Sequence, residues 1–172
     1  MRAHLLFCLL LGLAASILNG CAGYRLGPTN GVTAGSQSVL IRPFQNSTSE
    51  PRLTDAVAFA LRQQVQRDGT YRLETQGGGD LLVSGVITLY DRTAVSFQPT
   101  DIITVRDFKV SLTADVTVIE RGTGHTNLHR AVTGHTTIRI GSDQTSAERQ
   151  ALPLLAEDLA RNITSLLVDG AW

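Results

Sequence analysis

The chain has 172 residues, and 15 basic residues balance 15 acidic ones, so one domain of ordinary size is expected and a general electrostatic grip on nucleic acid is excluded. Hydrophobic residues at 42% against charged residues at 17% exclude a chain disordered by composition. Both cysteines, Cys8 and Cys21, precede the body of the chain, which excludes a disulfide framework or a cysteine zinc site there.

Residues 1–20 read as a secretory signal: Arg2 supplies the positive start and Leu5 to Leu18 an apolar run. That run is about 14 residues, short of the roughly 20 of a membrane span. It ends Leu18-Asn19-Gly20-Cys21, which resembles a bacterial lipobox. The resemblance implies that Cys21 takes a diacylglycerol on its thiol and a further acyl chain (palmitate or similar) on its freed amine. Several acyl chains give near-permanent anchoring, at about 0.8 kcal/mol for each buried methylene. Ala22 follows the cysteine where Asp would retain a lipoprotein in the inner membrane, so the outer membrane of a Gram-negative cell is expected.

Residues 21–37 form the lipidated tether, rich in Gly, Ser, Thr and Asn. A single domain is expected over 38–170. Val39 to Phe44 reads as a short buried strand, with Pro43 at its end or on an edge. Gln45 to Glu50 is turn-forming. Leu53, Val57, Leu61 and Val65 recur every four residues and predict an amphipathic helix over roughly 51–67, opened by Pro51 and closed by Gly69. A short strand is expected at 71–75, a loop at Gly77-Gly78-Gly79-Asp80, and a longer strand at 81–90 with Gly85 as a bulge or a close approach. Residues 91–107 read as a connection.

Between Phe108 and Ile119 apolar and polar residues alternate strictly, the pattern of a strand with one buried and one wet face. Residues 120–124 make a hairpin turn, and a more polar return strand follows at about 125–140. Thr145 and Glu148 have the spacing of a capping box. Leu152, Leu155, Leu159, Ile163 and Leu166 trace a final helix, which Pro153 kinks or else starts, the main helix then beginning near Leu152 after a short turn at 146–150. The order predicts an α+β fold: a two-layer sandwich with two helices on one face of a mainly antiparallel four- to five-stranded sheet.

No pattern here carries catalysis, and no cofactor is expected. His125, His129 and His135 share a strand face, but residues four apart on a strand lie about 13 Å from each other. Zinc bonds are near 2 Å, so a polar sheet face is the reading and no metal site is expected. The glycine run lacks the Lys-Ser/Thr and the following helix of a phosphate loop. There is no nucleophile elbow and no pair of catalytic carboxylates.

Several residues in order resemble the lipopolysaccharide-assembly lipoprotein family, LptE. They are Cys21 with Gly23-Tyr24-Arg25-Leu26 behind it, the strand Val39 to Phe44, Asn46-Ser47-Thr48 and Glu50-Pro51 before helix one, and Asp68-Gly69 after it. Asp80-Leu81 opens a strand that ends at Tyr90, and a Leu-Ala-Glu-Asp-Leu-Ala run (155–160) lies in the last helix. The resemblance implies an outer-membrane lipoprotein seated in the lumen of a large β-barrel of the LptD type, where it plugs the barrel, assists its assembly and contacts lipopolysaccharide. Arginine forks bind phosphate oxygens bidentately, which makes Arg92, Arg106 and Arg139 the candidate lipopolysaccharide contacts. The competing function is a periplasmic lipoprotein module that activates a cell-wall synthase or joins a secretion complex.

Overall fold

The computed structural model describes residues 31, 33–98, 101–139 and 144–170, so the signal, Cys21 and most of the tether lie outside the described residues. Six strands and two helices follow in the order β1 Ser38–Ile41, β2 Gln45–Asn46, α1 Leu53–Asp68, β3 Arg72–Glu74, β4 Leu81–Gln98, β5 Asp101–Glu120, β6 Thr126–Arg139, α2 Gln144–Asp169. The strands lie in one sheet of order β3-β1-β4-β5-β6, with β2 also against β4. The pairs made by β1 and β2 are parallel, while β4, β5 and β6 form an antiparallel meander. Both helices cover one face, which makes the fold α+β with two layers.

The periodicities account for the layers. On β5, Val110, Leu112, Ala114, Val116 and Val118 are fully buried beneath the helices, and the residues between them face outward. On α1, Leu53, Val57, Leu61 and Val65 are buried against the sheet. Gly69 closes this helix at φ 75°, and its N–H donates to the Val65 carbonyl. On α2, Leu155, Leu159, Ile163 and Leu167 are fully buried, while Leu166 packs only partly against the core.

Gly85 and Gly134 each allow a close approach that a side chain would block. A Cβ on Gly85 would stand 2.7 Å from the Asp115 carbonyl and against the Phe44 ring, so this glycine marks a close approach and the bulge falls at Thr88. A Cβ on Gly134 would lie 2.7 Å from Leu159 Cα, so α2 rests directly on β6.

The glycine loop ends at a clasp between two strands. Asp80 Oδ2 accepts from the Ser38 N–H at 2.8 Å and the Ser38 hydroxyl at 2.7 Å, clasping the start of β4 to β1. Those two bonds, the backbone one foremost, hold the Asp80 carboxyl below its ordinary range.

The elements depart from the sequence reading in a few places. The first strand stops at Ile41, and Pro43 separates it from β2, although Phe44 is still buried. The last helix starts at Gln144, before the expected cap at Thr145, and runs through Pro153 as one element. The largest departure is the expected connection at 91–107, which is strand: β4 continues to Gln98 and β5 already begins at Asp101. No alternating pattern marked the β4 part, because residues 91–97 are largely exposed.

Candidate functional site

The distal half of the β4–β5 hairpin extends past the helix layer. Among its side chains Leu89 and Val95 are each 52% exposed and Phe97 49%. Beyond Ile87 no strand pairs with the outer edge of β4 among the described residues, and β6 joins β5 only from Asp107 inward. The hairpin holds its shape through ladder bonds and through the polar cluster at its base.

That cluster centres on Asp107. The Ser96 hydroxyl donates to its Oδ2, Arg139 Nε donates to its Oδ1 at 2.9 Å, and Arg106 Nε lies 4.0 Å from Oδ2. The Ser96 bond first, then the Arg139 bond, keep the Asp107 carboxyl ionised below the usual carboxylate range. One carboxylate thus serves two guanidiniums, and the cluster keeps a local surplus of one positive charge. Both arginines remain well exposed, Arg139 at 67% and Arg106 at 42% of the side chain. Arginine offers five donors, so most of them remain free to meet phosphate oxygens.

Arg92 has a different setting. It pairs across the ladder with Val110, whose side chain is buried under the helices, and its guanidinium meets Glu148 of α2. The structure therefore brings Arg106 and Arg139 together and places Arg92 apart, as a link between hairpin and helix. Near it the Tyr90 hydroxyl is held in its neutral form, by burial first and by the Glu148 charge second.

Sequence reading missed Asp107 and Ser96. Their signal was the paired register, Ser96 against Asp107 and Asp107 against Arg139, which becomes visible only once 91–107 is known to be strand.

The uncovered sheet face is mostly polar over β5 and β6, while β4 brings Val86 and the half-exposed Leu89 to it opposite Asp115 and Thr113. It carries Ser111, Thr113, Asp115 and Thr117 from β5 opposite His135, Thr133, Ala131 and His129 from β6. Thr113 and Thr133 share a hydroxyl bond of 2.9 Å, and Thr117 lies 3.0 Å from His129 Nδ1. Among the described residues no group of three or more His, Cys, Asp or Glu could hold a metal ion. No described helix is long and apolar enough to cross a membrane.

The profile of the LptE family, described as lipopolysaccharide-assembly, matches residues 36–167. No curated protein matches. The fold is similar to that of a Xanthomonas campestris protein of the DUF330 family, with 9% identity and a TM-score of 0.62 over 85% of this chain and 91% of that one. It is also similar to a hypothetical protein of Chlamydia trachomatis, with 10% identity and a TM-score of 0.56 over 76% of this chain and 95% of that one. At such identities these likenesses concern the fold alone. The family match spans every strand and helix described above, from ahead of β1 to the last turns of α2, and the chain belongs to the LptE lipopolysaccharide-assembly family, a family of non-enzymatic lipoproteins.

Proposed function

We propose that this protein is an outer-membrane lipoprotein that plugs and helps assemble an LptD-type β-barrel and meets lipopolysaccharide at the distal end of its sheet. Cys21 carries the lipid anchor. The family match over 36–167 is the observation that carries this reading. The geometry supports it in two ways. The β5 and β6 part of the open sheet face, with its hydroxyls, imidazoles and a carboxylate, suits a wet barrel lumen, where a wholly apolar face would be left in water. The hairpin end presents the two exposed arginines around Asp107, which suit a phosphorylated glycolipid. Arg92, already paired with Glu148, steadies the hairpin on the helix side while contributing at the margin of the same surface.

Isolation from outer membranes is expected to recover a large β-barrel in about equal amount, and recovery of a penicillin-binding protein instead would replace this reading with the synthase-activator one. The charge reversals Arg106→Asp and Arg139→Asp together are expected to weaken binding of purified lipopolysaccharide at least tenfold, a loss of about 1.4 kcal/mol or more. Unchanged binding would remove the arginines from the glycolipid contact. Cys21→Ser is expected to abolish palmitate labelling.

A further inference from the structure

A second surface lies on the opposite side of the molecule from the polar sheet face. Between α1 and α2 runs a groove of about 310 Å³ lined by Asp55, Ala56, Phe59, Ala60, Gln63, Pro153 and Glu157. Its shape comes from residue size: Ala56 and Ala60 are small, while the Phe59 ring and the Pro153 ring are bulky. Phe59 is 67% exposed, the most exposed large apolar residue of the described domain. Asp55 and Glu157 both line the groove, and among the described residues neither carboxylate meets a cation. An occupant that suits this groove is a short apolar segment carrying one positive charge.

The chain contains such a segment within reach. Between Cys21 and Arg42 the only charged residue is Arg25, and it sits between Tyr24 and Leu26, the bulkiest residues of an otherwise small and polar tether. The tether joins the domain beside the end of α1, where the Gly35 N–H donates to the Thr70 carbonyl at 2.9 Å. From Thr70 back to Phe59 is about 17 Å along the helix, at 1.5 Å per residue. From Gly35 back to Leu26 the chain can span about 30 Å, at up to 3.3 Å or more per residue. A segment on so short a tether has an effective concentration in the millimolar range, so a contact too weak to hold a separate peptide suffices here.

We propose that the groove between α1 and α2 holds Tyr24, Arg25 and Leu26 of this chain's own tether, with the apolar side chains against Phe59 and Pro153 and Arg25 between Asp55 and Glu157. The consequence is orientation. Docking next to the acylated Cys21 sets the helix layer toward the anchoring membrane and the polar sheet face away from it. This inference concerns the helix face and does not depend on the barrel or the glycolipid.

Trypsin tests it, because Arg25 is the only cleavage site before Arg42 in the acylated chain. Cleavage of a docked site tracks the population of the open form. In the purified acylated protein, cleavage after Arg25 is expected to be slow. It is expected to rise about tenfold in the surface variant Asp55→Asn with Glu157→Gln, and also in Phe59→Ser, with the melting temperature unchanged. A disulfide pair serves as the second readout. Leu26→Cys with Ala56→Cys is expected to close under mild oxidation, whereas Leu26→Cys with Ser111→Cys on the open sheet face stays reduced. Equal cleavage in all variants, equal closure of both pairs, or protection that arises only when a barrel partner is added would each overturn the proposal.

Discussion

The edges of the sheet on its two sides are finished differently. Along β6, α2 supplies what a neighbouring strand would: Asn162 Nδ2 donates to the Thr133 carbonyl at 2.9 Å, and Asp158 Oδ2 accepts from the His135 N–H at 2.9 Å. Gly134, between those two residues, lets Leu159 settle against the strand. Beyond Ile87 the edge of β4 has no such cover among the described residues, and the bulges at Thr88 and around Ser96 bend it. A bare edge is a template for unwanted pairing, and bulges with charges such as Asp91 and Arg92 are ways to blunt it. The covered edge is where the domain gains stability. The bare one is kept soluble at little gain in stability, which is the expected condition of a surface kept for a partner.

The comparison breaks first at Gly134. Gly134→Val should cost about 3 kcal/mol, since its Cβ would displace the backbone of α2 at Leu159 and overpacking cannot relax into rigid main chain. Urea unfolding measures this, and a loss under about 1 kcal/mol would show that α2 does not rest on β6 as described. Next, Asp158→Ala with Asn162→Ala uncovers the β6 edge. Two hydrogen bonds of ordinary net strength predict a loss of about 2 kcal/mol, together with faster aggregation on light scattering. The matching change on the other side, Leu89→Ser with Val95→Ser, removes two half-exposed apolar side chains. It should shift stability by no more than about 0.5 kcal/mol, and a large loss there would mean that the distal hairpin is part of the core.

The same contrast explains what could be read from the sequence. Val110 to Val118 alternate because one face of β5 is covered, and the Leu53–Val65 stripe repeats because one side of α1 is covered. Burial leaves a periodic trace, so both elements were legible. Residues 91–97 are largely exposed on both sides, and no such trace formed over them. The strand at Arg72–Glu74 was expected within 71–75, but the two-residue strand β2 and the parallel pairings were equally hard to see, since so short a strand is fixed by its neighbours rather than by its own pattern. The three arginines could be named as phosphate-binding residue types. Which of them share a carboxylate depends on register across 32 residues of sequence, from Asp107 to Arg139.

The smallest expected effect sharpens the comparison most, because it separates charge from stability on the bare side. Asp107 in the folded protein titrates below its ordinary value, owing first to the Ser96 hydroxyl and then to Arg139. A depressed carboxylate contributes stability above its unfolded pKa and loses that contribution as the pH falls through its folded pKa. Wild type should therefore lose more melting temperature than Asp107→Asn on acidification from neutrality to below the ordinary carboxylate range. Asp80 and Glu74 are depressed in both proteins and cancel in that difference. Near neutrality the variant should melt within a few degrees of wild type, because Asp107 lies toward the exposed end of the sheet, at the outer limit of its pairing with β6. Its binding of lipopolysaccharide should rise instead, since Arg106 and Arg139 lose the one anion they share. Weaker binding by Asp107→Asn would mean that the carboxylate serves to aim the two guanidiniums, and that their geometry matters more than their surplus charge.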